Sequence, residues 1–135
     1  MDIKAINRTV IRQFRAGGPV EDMDRTQMIL LTSIGARTGR RHTTPLGIIE
    51  RDSDRLLVVA NNLGGQHHPD WYFNVLANGH VTVETDGETY EAVARQLPGQ
   101  ERDQVWKDLE ARSPYHAESQ ANVARTIPIV AIMRT

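Results

Sequence analysis

The chain has 135 residues, 16 Lys+Arg against 17 Asp+Glu, a net charge of −1 and no cysteine. That length suits one domain with a single core. The near-neutral balance argues against a nucleic-acid binder, and the missing cysteines exclude disulfides, thiolate metal sites and cysteine nucleophiles.

The opening residues, MDIKAINRTVIRQFRAGG, lack the uninterrupted apolar stretch of a signal peptide. No window approaches the ~20 apolar residues of a membrane span, so a cytoplasmic protein is expected. Ile3, Ile6, Val10 and Phe14 recur at helical spacing before Gly17-Gly18-Pro19 and predict an amphipathic helix over 3–16. Such a one-sided helix usually packs on a core; a lid or membrane-surface role is the alternative. MILLTSI (28–34) reads as a buried strand and HTTPLGIIE (42–50) as its partner, where Pro45 demands an edge or a bulge. RDSDR is a turn and LLVVAN (56–61) a third strand. HPDWYFNVLANG (68–79) is a short helix ended by Asn78-Gly79. HVTVET (80–85) and ETYEAVARQL (88–97) form a hairpin across Asp86-Gly87. GQERDQVWKDLEAR (99–112) and PYHAESQANVA (114–124) read as helices, and TIPIVAIM (126–133) as the last strand. Strands and helices do not alternate regularly. The pattern predicts a mainly β, α+β domain whose six-stranded antiparallel sheet curls or closes into a small barrel. One domain spans 1–135, with a helix in 1–18 ahead of a barrel in 28–135.

Two stretches carry local chemistry. IGARTGRRHTTPL (34–46) places Arg37, Arg40 and Arg41, with no acid, in a turn between two strands. Gly35 and Gly39 can expose backbone N–H groups to an anion, and arginine forks match phosphate or carboxylate oxygens. Thr38, Thr43 and Thr44 add hydroxyls. Two readings stand side by side: a solvated hairpin tip and a clamp for a polyanion. The second stretch, NNLGGQHHPDWYFN (61–74), runs from a strand end into a helix N-terminus and offers unpaired N–H groups. Trp71, Tyr72 and Phe73 cannot all face one way on a helix. Either all three pack, or one faces a cavity or a partner subunit. His67 and His68 lack an HExxH frame or a carboxylate cluster, so capping or ring stacking is expected rather than a metal. No GxSxG, GxGxxG or Walker motif occurs.

Taken together, LLTSIGARTGRRHTTPLG and LLVVANNLGGQHHPDWYFNVLANGHVTVE resemble the deazaflavin-dependent nitroreductase family. That family's pattern is a Thr-Gly-Arg-Lys-Ser-Gly-like turn ending in Pro-Leu, then a Gly-Gly loop before His-Pro-x-Trp-Tyr-x-Asn-Leu. The likeness continues through YEAVARQLPGQERDQVW to RTIPIVAI. It implies a split β-barrel of the FMN-binding-like kind, coenzyme F420 as cofactor, and hydride transfer to a quinone, enone or nitro compound. Under this resemblance Arg37, Arg40 and Arg41 would grip the cofactor's phosphate and oligoglutamate tail, while Gly35, Thr38 and Gly39 shape the turn. Thr44, Pro45 and Leu46 would lie beside the ring, and Asn61, Asn62, Leu63 and Gly64 on its other side, with Trp71, Tyr72 and Asn74 bracing that loop.

The chain departs from the pattern at YHAESQ, where Ser119 stands at the family's tyrosine position and His116 near its phenylalanine position. Tyr115, His116 and Ser119 are the candidates to serve catalysis in the tyrosine's place. The frequent Lys or Ser of the Gly-Gly loop is also absent. FMN is the alternative cofactor on the same barrel. A non-catalytic carrier of the deazaflavin or of a lipid-like ligand is the alternative role. The partners expected are a small-molecule substrate and a second copy of the chain, with no nucleic acid and no integral membrane segment.

Overall fold

The computed structural model describes residues 2–52, 54–62 and 65–135. Its strands are β1 (Met28–Ile34), β2 (Arg41–Gly47), β3 (Glu50–Asp52), β4 (Arg55–Val59), β5 (His80–Thr85), β6 (Glu88–Gln96) and β7 (Ile129–Arg134). Its helices are α1 (Ile3–Ala16), α2 (Asp70–Ala77), α3 (Gly99–Arg112) and α4 (Pro114–Ala121). All strand pairs are antiparallel, in one sheet of order β2-β1-β5-β6-β7-β4-β3.

This order forces the sheet to curl. β2 and β3 are its two edges, yet only Ile48 and Ile49 separate them in the chain. The Ile48 N–H donates to Gln27 O (2.9 Å) on the β1 side, and the Ile49 N–H donates to Leu57 O (2.9 Å) on the β4 side. In a flat seven-stranded sheet the edges would stand ~29 Å apart at ~4.8 Å per gap, against the ~11 Å that three Cα steps can span. The sheet therefore curls, bringing its two edges close together where Ile48 and Ile49 link them. The expected six strands become seven for the same reason. Residues 42–50 are not one strand: the chain leaves β1 at Gly47 and joins β4 at Glu50, and residues 51–52, expected in a turn, belong to that second strand.

Strand alternation sorts the apolar residues into an inside and an outside. Ile29, Leu31, Leu56, Val58, Val81, Val83, Val130 and Ile132 meet in one buried cluster, joined by Trp71, Tyr72 and Val75 of α2. Their neighbours Leu57, Ile129 and Ala131 point the other way, onto Trp106 and Leu109 of α3. Met28 and Leu30 do the same beneath Val10 and Phe14 of α1. The N-terminal helix is thus a packing helix. Arg25 secures its end, donating to Phe14 O (2.7 Å), Gly18 O (3.1 Å) and Asp86 (2.6 Å).

The registers give the barrel two distinct ends. The pairs Thr32↔Thr82, Gln96↔Val130 and Val59↔Ile129 gather the β1–β2 turn, the segment after β4 and the end of β6 at one end. Leu30↔Glu84 and Arg55↔Met133 place the β3–β4 and β5–β6 turns at the other.

Candidate active site

The β1–β2 turn is built by its own short residues. The Gly35 N–H donates to Arg40 O (2.7 Å), the Gly39 N–H to Gly35 O (2.9 Å) and the Arg40 N–H to Thr38 Oγ1 (3.1 Å). Gly39 sits in the left-handed region at φ 71°. A Cβ on Gly35 would lie 2.6 Å from Thr38 Oγ1 and 2.9 Å from His42 Nε2, so a larger residue there would force those side chains to shift. Thr38 and the two glycines shape the turn.

One brace differs from expectation. Asn74 does not support the Asn61 loop. Its buried amide crosses from α2 to the arginine turn, where Oδ1 accepts from the Ala36 N–H (3.0 Å) and Nδ2 donates to Ser33 Oγ (3.3 Å). A helix-borne amide can satisfy the turn's N–H because Ser33 and Ala36 flank the strand end beneath it.

Arg37, Arg40 and Arg41 are exposed, and among the described residues their side chains have no hydrogen-bond or ion-pair partner. Elsewhere Arg15 pairs with Glu84 (2.8 Å), Arg25 with Asp86 (2.6 Å) and Arg55 with Glu101 (2.7 Å). Three cations on one turn with no counter-charge repel one another and raise the local potential for an anion. Beside them runs β2, an edge strand. Thr44, Pro45 and Leu46 lie opposite Leu31, Leu30 and Ile29, half-buried, with Leu46 packed on the inner cluster. Pro45 is tolerated there because an edge strand leaves N–H positions unpaired.

The segment after β4 lies at the same end. Asn61 is buried and its Nδ2 donates to Ser119 Oγ (3.2 Å). Asn62 adopts φ 49°, and its Nδ2 donates to His67 O (3.0 Å). Leu63 and Gly64, both expected here, lie outside the described residues. Arg125 grips this segment from the stretch before β7, through Ala60, Asn61, Gly65 and His68. Sequence reasoning missed it. Its partners are carbonyls and an imidazole some sixty positions away, and nothing local marks the residue.

His68 lies against two aromatic rings. Its ring lies 4.7 Å from Tyr72 and 5.7 Å from Phe73. Its Nδ1 lies 2.7 Å from Arg125 Nη1, which only donates, so the imidazole accepts there and is neutral. Burial first, then the Arg125 charge, holds its pKa below the usual histidine value. Trp71 and Tyr72 are buried, and the Tyr72 hydroxyl meets Gln96 Oε1 at 2.9 Å. Burial raises the Tyr72 pKa. Phe73 is 47% exposed, so the three rings do not all pack.

The candidates on α4 separate. Tyr115 is 50% exposed. His116 hydrogen-bonds Ser113 Oγ through Nδ1 (2.8 Å) and sits edge-on to Trp106, and burial, then Arg112, lowers its pKa. Ser119, 6% exposed, is the candidate that touches the Asn61 segment. A cavity of about 340 Å³ opens beside His68 and Tyr72, with Gln96, Arg102 and Thr126 in its wall. A larger one of about 910 Å³ lies at the opposite barrel end, among Arg51, Arg55, Asp86 and Glu88, away from these groups. No cluster of three His, Asp or Glu side chains fit for a metal occurs among the described residues. No helix among them is long and apolar enough to cross a membrane.

A family model described as F420H(2)-dependent quinone reductase matches residues 5–134. The F420H(2)-dependent quinone reductase of Mycobacterium tuberculosis is 29% identical over 109 residues, covering 78% of this chain and 72% of that protein. The structure of an F420-H2 dependent reductase (FDR-A) aligns with a TM-score of 0.68 at 35% identity, over 84% of this chain and 99% of that one. A structure described as a domain-swapped dimer aligns with a TM-score of 0.69 at 33% identity, over 93% and 94%.

Proposed function

The chain belongs to the F420H(2)-dependent quinone reductase family, and on that premise we propose that it passes hydride from reduced coenzyme F420 to a quinone at the arginine-turn end of its barrel. The observation that carries the placement is the set of three arginines, Arg37, Arg40 and Arg41, on one turn without an anionic partner among the described residues.

The donor set fits this cofactor. Coenzyme F420 bears a phosphodiester and a row of glutamates, which three cations can follow. The single terminal phosphate of FMN would occupy fewer of them, so FMN stands second. When bound, the reduced deazaflavin supplies the hydride, and the polypeptide supplies binding, alignment and a dry wall. Arg37, Arg40 and Arg41 take the anionic tail with forked donors. The edge-strand backbone at Thr44, Pro45 and Leu46 and the residues Asn61 and Asn62 would hold the ring. Ser119, bonded to Asn61 in the interior, holds that second wall.

Acceptor choice follows from proton supply. Ser119 Oγ accepts from Asn61, and an aliphatic hydroxyl is a far weaker acid than a phenol. That favours quinones, whose reduced oxygens can take a proton from water, over nitro compounds, which need protons as their oxygen departs. Tyr115 is exposed and His116 is turned to Ser113 and Trp106, so this reading gives them no part.

Titration with coenzyme F420 and with FMN, followed by turnover of reduced F420 with menadione and with a nitroaromatic, tests the reading. Binding of F420 over FMN and faster turnover of menadione are expected. Uptake of FMN without F420 would overturn the cofactor assignment. F420 binding with no turnover would leave a carrier.

A further inference from the structure

Arg125 spans the segment after β4 with one planar group. Its Nε donates to Gly65 O (3.2 Å), Nη1 to Ala60 O (3.2 Å) and to His68 Nδ1 (2.7 Å), and Nη2 to Asn61 O (2.8 Å). These partners sit at both ends of the segment. A guanidinium can reach them together because its five donors lie in a fixed plane; an ammonium cannot. None of the partners is a carboxylate, so the charge is spent on carbonyl dipoles.

Two further ties come from the same stretch of chain. Ser119 Oγ accepts from Asn61 Nδ2 (3.2 Å), and Asn122 O accepts from Gln66 Nε2 (3.1 Å). The segment therefore takes its shape from α4 and the residues after it. Asn62, in the left-handed region at φ 49°, lies inside this frame. Such a backbone persists where its surroundings over-determine it.

We propose that Arg125 is a positioning residue, setting the conformation of residues 60–62 and 65–68 and through them the seat of the deazaflavin ring. The second half rests on the cofactor reading above. The division of labour is then sharp: Arg37, Arg40 and Arg41 act on the anionic tail, whereas Arg125 acts on the ring without touching it.

Arg125→Lys and Arg125→Ala test this with two independent readouts. The first is amide hydrogen exchange of residues 60–62 and 65–68 in the protein without cofactor, compared with β1 and β7 in the same sample. The second is affinity for coenzyme F420 and for the deazaflavin fragment stripped of phosphodiester and glutamates. Exchange at 60–62 and 65–68 should rise about tenfold with the strands unchanged, and both ligands should weaken by a similar factor of about ten, lysine giving no rescue. Unchanged exchange in both variants would overturn the clamp. Weakening confined to the full coenzyme would overturn the ring assignment and make Arg125 a tail-binding cation. If the alanine variant unfolds, the lysine variant decides. A wild-type protein that takes up neither ligand sinks the cofactor reading and the ring seat with it, while exchange still decides the clamp.

Discussion

At the scale of single residues, charge that lacks a partner is the most informative feature. Replacing Arg37, Arg40 or Arg41 with alanine should weaken coenzyme F420 about tenfold each, the size of one charge-assisted contact, with less effect on a cofactor trimmed of its glutamates. Added salt should shrink the difference, since these groups are exposed. Fluorescence titration reads both effects, and wild-type affinity in all three variants would return the turn to a solvated hairpin tip. His68 carries a pH prediction. It is faced by Arg125 and Tyr72, with Arg102 and Asp103 across the small cavity and His67 and Asp70 beside it in sequence. Its folded pKa lies below the unfolded value of about 6.5. Its neutral form therefore contributes stability that is present above that value and lost as pH falls through the folded pKa. Thermal melts should show this loss, and His68→Asn, which keeps an acceptor for Arg125, should reduce it. His116, depressed in the same direction, leaves a residue of the effect.

Element by element, what was legible in the sequence depended on whether the signal was local. Helix α3 spans 99–112 as read, because Pro98-Gly99 and Ser113-Pro114 punctuate both ends. The arginine turn was legible for the same reason. The change of partner inside 42–50 was not: the stretch is strand-like, and the lone Gly47 where it leaves β1 for β4 is a residue a continuous strand also tolerates. Asn74 was legible as a brace but not its target, and Arg125 was not legible at all, because each acts on chain far from it and a lone Asn or Arg has no signature of that. Asn74 can be tested through stability. Asn74→Ala leaves the Ala36 N–H and the buried Ser33 hydroxyl short of a partner, which should cost ~1–3 kcal/mol in urea melts. It should also loosen the turn and lower tail affinity. A variant as stable as wild type would mean that water replaces the amide fully.

For the molecule as a whole, α2 presents Phe73 and Leu76, 47% and 53% exposed, one helical turn apart on its outer face. Exposed apolar pairs of this size suit a contact with a second copy. Sedimentation should show a dimer, and Phe73→Ser with Leu76→Ser should yield monomer. A wild-type monomer across micromolar concentrations would rule this pairing out.

The placement of β7 has a consequence for how the protein comes to be made. This strand, late in the chain, fills the gap between β6 and β4, bringing Ala131 beside Leu57 and Arg95. Until it arrives, the growing polypeptide holds two raw sheet edges and cannot roll shut, so the slow, long-separation pairings come last. Ser119 and Arg125 emerge just ahead of it. The nascent chain thus acquires the ties of Ser119 and Arg125 to residues 60–62 and 65–68 only late in closure, and a chain interrupted earlier would have the arginine turn without them. A gap that waits this long for its last strand is also one that a neighbouring copy can fill with identical pairings, exchanging both the strand and the clamp that precedes it.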